Sequence, residues 1–300
     1  MIKKIAVILP VLSGALWGSA GIYIRILTDA EFDSYTIISS KMILTAILLF
    51  AGIMLFKREY IKVRLKDLWL FVGTGVFGML LLNFGYNAAV ERLTLSLAAV
   101  LLSLSPVFVM IFAAIFFGEK ITGKKVFCTI MAIAGCTLVS GIFENGGMAG
   151  ADFTGILLGL SAAVFYALYS ICSKEAMNRG YNVMTVIFYS TLMISIVLLP
   201  VTDFQCISSF VAEAPAAHSV FMVVYAIGTT ILPYMLYTLA MAYVDAGKVA
   251  ILGAGGEPSA AMIFGLLVYN EVPSLLSVAG LIITIGALTF ICMPGKEQQE

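Results

Sequence analysis

SLSPVFVMIFAAIFFGEKIT (Ser103–Thr122) and GGEPSAAMIFGLLVYNEVPS (Gly255–Ser274) are one pattern written twice, 152 positions apart. Pro106 falls on Pro258, Met110 on Met262, Phe112 on Phe264 and Glu119 on Glu271. A second echo, at a shift of 148, joins Ser13, Ala15 and Trp17 to Ser161, Ala163 and Phe165, so a small loop insertion separates the two offsets. The chain therefore reads as two copies of one unit divided near residues 144–152, residues 1–148 forming the first and 149–300 the second.

Each copy is strongly apolar. Over its 300 residues the chain is 61% hydrophobic and 11% charged, with a mean hydropathy of +1.06, which excludes an ordinary soluble domain. Apolar stretches long enough to cross a hydrocarbon core of about 30 Å number ten. They run over 5–27, 35–56, 68–90, 95–117, 126–143, 154–173, 183–203, 218–243, 248–269 and 275–293. Each is read as a helix, because lipid offers the backbone no hydrogen-bond partners. We refer to them as spans 1 to 10, and the fold class is an all-α membrane protein.

With the N-terminus set in the cytoplasm, the inner segments hold fourteen Lys and Arg, and the outer loops hold Arg92 alone. The first outer loop is acidic instead (Asp29, Glu31, Asp33). This bias predicts cytoplasmic N- and C-termini. Five spans per copy is an odd number, so the two copies lie upside down relative to each other. The charges agree: the loop after Glu119 carries Lys120, Lys124 and Lys125, and the equivalent places after Glu271 hold Val272, Leu276 and Ser277. Inverted repeats meeting at the bilayer midplane are an architecture of secondary transporters.

Other functions find little support. The net charge is zero and one histidine is present, which argues against nucleic acid as a partner and against a multi-histidine metal site. The five cysteines are scattered and mostly within apolar runs, as buried small hydrophobes are. GEKITGKK (Gly118–Lys125) imitates a phosphate-binding loop, but Lys125 stands where a magnesium-ligating Ser or Thr belongs and no strand precedes it. Neither a cofactor, a metal nor an ATPase subunit is expected, and no serine, histidine and acid set suggests an enzyme.

Candidate transport residues are the polar ones stranded in apolar runs. Glu257, in the middle of span 9, needs a partner or access to water. It reads either as a substrate or proton site, or as a structural carboxylate serving backbone groups near Pro258. Lys41 in span 2 is at a depth from which it could approach Glu257. Pro106 and Pro258 are matched helix breaks, Ser103 and Ser105 offer hydroxyls beside the first, and Gly253, Gly255 and Gly256 loosen span 9 before the second. Trp17, Asn83, Tyr86, Asn87, Tyr166, Tyr169, Tyr234 and Tyr237 complete the expected wall, as substrate contacts or as helix packing. Glu119 and Glu271 are expected to close the ends of spans 4 and 9 on nearby backbone groups. Arg25 is read as an outer-gate partner or a snorkelling cation, and His218 as an interfacial residue without a special role. Gly14 with Gly18, and Gly155 with Gly159, could pack helices within one subunit or between two.

The pair Trp17-Gly18, the run Leu104–Thr122 and its echo Glu257–Ser274 resemble the EamA-type transporters of the drug/metabolite transporter superfamily over the whole chain. The resemblance implies a ten-helix carrier in the plasma (inner) membrane. Such a carrier moves small metabolites such as amino acids or their relatives, often outward, with protons as a candidate coupling ion; an uncoupled channel or facilitator is the alternative. Lys41 departs from the pattern, since many relatives carry arginine there, and lysine lacks the fork that grips a carboxylate at two points.

Overall fold

The computed structural model describes residues 6–93, 95–143, 152–270 and 272–293. Lys3, Lys4, Lys296, Glu271 and most of the segment dividing the two halves lie outside these residues. The described chain is nearly all helix. Nine of its helices have the length and apolarity to cross a membrane: Ile8–Asp29, Ser34–Phe56, Leu65–Val90, Leu97–Phe117, Phe153–Asn178, Val183–Val201, Pro215–Met241, Ala246–Tyr269 and Leu275–Cys292. The remaining span, the fifth, is the 17-residue helix Gly123–Val139. The protein is a multi-pass membrane protein.

Local chemistry sets the ends of these helices, and it repeats at the offset of the sequence. Thr122 accepts the Lys125 N–H to start span 5, and Ser274 accepts the Ser277 N–H to start span 10, 152 residues later. Span 4 ends on Gly118 at φ 65° and span 9 on Asn270 at φ 55°, both left-handed, again 152 apart. Span 3 widens to a π-helix over Gly73–Leu80 and span 8 does so over Ile227–Ile231, a coincidence at the same offset.

Packing follows the same scheme. Span 1 packs on spans 9 and 8, as span 6 packs on spans 4 and 3, while spans 2 and 7, 4 and 9, and 5 and 10 pair across the two halves. Successive spans alternate in direction, so spans 4 and 9 cross oppositely, as inverted copies must. The close approaches rest on glycine. A Cβ on Gly14 would overlap the Gly253 carbonyl, and one on Gly18 would lie 2.5 Å from the Glu257 carbonyl oxygen. Gly155 and Gly159 likewise receive Leu93 and Leu101. Both small-residue pairs therefore pack helices within one subunit.

Several details differ from the sequence reading. Span 1 is interrupted at Ser19, whose hydroxyl donates to the Leu16 carbonyl at 2.7 Å. Span 6 continues to Asn178, beyond the expected 173. A further helix, Phe204–Glu213, occupies the stretch read as a connection and buries Phe210; His218 stacks on that ring and hydrogen bonds the Phe210 carbonyl. Span 4 breaks just before Pro106, as expected. Span 9, by contrast, runs through Pro258 without interruption. Proline leaves the carbonyl four residues earlier without its helical donor, and here the Cys136 thiol donates to that Ala254 carbonyl at 3.8 Å. Cys128 and Cys136 are buried, Cys172 and Cys206 partly so, and Cys292 is exposed, which corrects the expectation for the last.

Candidate functional site

Trp17, at the middle of span 1, is the hub of an aromatic box. Its ring centre lies 5.0 Å from Tyr234, 5.5 Å from Tyr237 and 6.2 Å from Tyr166. Tyr169 closes the group at 5.0 Å from Tyr234. Two of the tyrosines are fixed by hydroxyl contacts between spans 6 and 8: Tyr169 with Thr238 at 2.8 Å and Tyr237 with Ser170 at 2.9 Å. Ser13 donates to the Pro233 carbonyl at 2.8 Å and ties span 1 to span 8 beside the box. Trp17, Tyr166 and Tyr234 stay partly exposed although their rings face one another.

Glu257 stands at the wall of this box. One turn before it, a Cβ at Gly253 would lie 3.6 Å from the Tyr166 hydroxyl and 3.2 Å from the Tyr237 ring, so span 9 passes directly against the box. The carboxylate is within electrostatic reach of Tyr86, Tyr166, Tyr234 and Cys136. Among the described residues it has no cationic partner. A carboxylate beside electron-rich ring faces is chemistry suited to an ammonium or other cationic group.

The other expected residues are distributed unevenly. Tyr86 joins Glu257 from span 3, and Asn87 is its partly buried neighbour. Asn83 donates to the Met79 carbonyl of its own helix at 2.7 Å, and Ser103 to Val100 at 2.7 Å, so both have local partners. Ser105 and Pro106 are buried in span 4. Lys41 does not meet Glu257; its ammonium lies 5.5 Å from the centre of the Tyr225 ring.

At the lysine-rich face Glu119 bonds backbone groups, as the sequence suggested, but those of span 9 and not of its own span 4, and sequence reasoning missed its ion pairs. Glu119, at the end of span 4, accepts the Ala246 N–H at 2.9 Å and the Gly247 N–H at 3.4 Å, and so caps span 9 from the other half of the chain. The same carboxylate is ion-paired with Lys174 of span 6 and lies 3.7 Å from Lys125, which pairs with Asp245 at 2.8 Å. A second tie joins Asp67, fully buried, to Arg179 at 2.6 Å and to the Tyr181 hydroxyl at 2.6 Å. Beneath the first tie, Val109, Ala113, Tyr169, Tyr237, Ala246, Val249 and Ala250 form one buried cluster. Both ties join the first half of the chain to the second at this end, the first of them around a cavity of about 600 Å³ lined by Glu119, Lys125, Lys174 and Asp245. At the opposite end the Arg25 guanidinium lies 4.4 Å over the Tyr269 ring.

Comparison with known proteins agrees with this architecture. The profile of the EamA-like transporter family matches residues 4–141 and again 153–293. An uncharacterized transporter of Archaeoglobus fulgidus is 30% identical over 189 residues, which are 63% of this chain and 64% of that protein, just under two thirds of its length. The pseudopaline exporter CntI of Pseudomonas aeruginosa is 28% identical over 214 residues, 71% of each chain. The uncharacterized transporter YxxF of Bacillus subtilis is 22% identical across 98% of this chain and 92% of its own. A solved crystal structure superposes with a TM-score of 0.75 at 16% identity, covering 95% of both chains, and so shares the fold.

Proposed function

The chain belongs to the EamA-like transporter family, and on that premise we propose that it is a secondary carrier of small metabolites, amino acids or related compounds. It exports them by alternating access around the aromatic box and Glu257. Residues 1–148 and 149–300 are the two units that rock against each other. The chain lies in the plasma (inner) membrane with both termini cytoplasmic, a placement supported by the fourteen-to-one distribution of Lys and Arg. The exporter named among its relatives supports the outward direction.

The observation that carries this reading is Glu257, a carboxylate at the wall of the aromatic box with no cationic partner among the described residues. An ionised group there is expensive unless something neutralises it. A cationic group of the solute can do so, and so can a proton. Competition between the two for one carboxylate couples their movements, because each leaves the site as the other binds. The ties that join the two halves across the lysine-rich face support a carrier over an uncoupled channel or facilitator, which needs one continuous path. The test begins with purified protein in liposomes and counterflow against a metabolite panel to find a transported solute. Glu257→Gln is then expected to abolish its accumulation driven by a pH gradient while leaving exchange. Gradient-driven uptake equal to that of the unaltered protein would reject coupling through Glu257, and steady conductance without counterflow would reject the carrier.

A further inference from the structure

Away from the box, the seam between spans 2 and 8 collects side chains that have charge or hydrogen-bonding capacity and nothing to use it on. Lys41 projects toward the Tyr225 ring and has no anionic partner among the described residues. Thr45, Tyr225 and Thr230 are 0% exposed, and the hydroxyl of each lacks a hydrogen-bond partner. Buried polar groups are nearly always paired, so three orphaned hydroxyls on the two helices that bring Lys41 over Tyr225 call for an explanation.

Their alignment is a product of the fold. Spans 2 and 8, both even in the alternation of directions, descend the bundle together and pack on each other. Thr45 lies one helical turn below Lys41 on the same face. On span 8, the residue that an ordinary helix would stack under Tyr225 is Thr229, and its hydroxyl is satisfied by the Tyr225 carbonyl at 2.8 Å. The helix widens over Ile227–Ile231, and Thr230, in that wide turn five residues on from Tyr225, is buried without a partner.

We infer that this seam receives an anionic group of the transported solute, with Lys41 supplying charge and the hydroxyls of Tyr225, Thr45 and Thr230 donating to the oxygens. The inference rests on the reading of Glu257 and its box as the transport site, and it narrows the substrate class. The solute is dipolar, with its cationic end at Glu257 and its carboxylate at Lys41. Tyr225, which marks the anionic end, and Tyr234, which marks the cationic end, are nine residues apart on one helix, roughly 13 Å of rise. A single α-amino acid is too short to touch both. A solute as long as an extended tripeptide, about 10 Å between its charges, reaches both with side-chain adjustment.

Three probes separate the charges: triglycine, triglycine amide, which lacks the carboxylate, and N-acetyltriglycine, which lacks the ammonium. The measurement is the thermal unfolding midpoint of the purified full-length protein in detergent micelles against probe concentration. For the unaltered protein, the concentration giving half-maximal protection is expected to be about tenfold lower for triglycine than for its amide. Lys41→Met should bring the two within about twofold of each other and raise the midpoint of the unliganded protein, since an uncompensated cation is gone. Lys41→Arg should keep the preference for triglycine. Equal protection by triglycine and its amide in the unaltered protein would overturn the anionic subsite and leave Glu257 standing, as would a lowered midpoint in Lys41→Met. If none of the probes protects and Glu257→Gln leaves counterflow and pH-driven uptake untouched, the subsite and the reading beneath it fall together.

Discussion

Trp17 joins three rings across two neighbouring helices yet keeps part of its surface free, and both properties follow from its place on span 1. A ring so placed serves packing and ligand contact together, and substitution separates the roles. Trp17→Phe keeps an aromatic face and is expected to raise the KM of a cationic solute about two- to fivefold, while Trp17→Leu, which removes that face, raises it about tenfold or more. Counterflow kinetics measure both, and equal KM values for the two variants would assign Trp17 to packing alone. The identity of these residues was legible in the sequence, because Trp17, Tyr166, Tyr234, Tyr237 and Glu257 are polar or amphipathic groups in apolar runs. Their partnerships were less so. Depth along a helix can be counted from its ends, whereas rotation about its axis is set by the neighbour it packs on. Lys41 and Glu257 lie at compatible depths, but Lys41 turns toward Tyr225.

At the scale of the helix, that rotation is set on span 1 by two glycines. A Cβ on Gly18 would stand 2.5 Å from the Glu257 carbonyl and 2.8 Å from the Ala261 nitrogen, both backbone atoms that cannot rotate aside, whereas Gly21 has open space where its Cβ would be. Gly18→Ala is therefore expected to force spans 1 and 9 apart and destabilise the protein by about 1–3 kcal/mol. Gly21→Ala, on the same span but in the helix beyond the interruption at Ser19, should be neutral or gain about 0.5–1 kcal/mol from its better helix propensity. Thermal unfolding in micelles distinguishes them, and equal midpoints would deny that the close approach matters. The repeat was readable in these elements because caps are sequence-local: Thr122 and Ser274 serve as start signals, and Gly118 and Asn270 as stop signals. The π-helices of spans 3 and 8 left no such signal. They arise from the packing of whole helices, and their residues are as apolar as those around them. The helix Phe204–Glu213 escaped for a different reason, being too short and too polar to register as a span.

Across the whole molecule, the proposed alternating access would have the two ends open in turn, and Glu119 is the tie that would hold one of them. Glu119 belongs to the first half, and three of its contacts, Lys174 and the N–H groups of Ala246 and Gly247, belong to the second. Rocking one half against the other, as proposed, would break them. Removing the charge by Glu119→Gln leaves Lys174 unpaired while one amide oxygen can still accept the Ala246 N–H, so the fastening weakens without loss of the helix cap. A single cysteine placed at Val249, buried beneath the tie, in a background with the five native cysteines replaced, reports the result through its alkylation rate by a soluble maleimide. If the tie contributes about 1.4 kcal/mol to the closed state, the rate should rise about tenfold in Glu119→Gln. The charge-swapped pair Glu119→Lys with Lys174→Glu is the sharper test. It restores the ion pair but sets an ammonium against the N–H groups and positive dipole end of span 9, so it should stay as open as Glu119→Gln or exceed it. A swap that returned the rate to its original value would show that the ion pair alone closes this face, and an unchanged rate in Glu119→Gln would show that the packed cluster beneath it does so unaided.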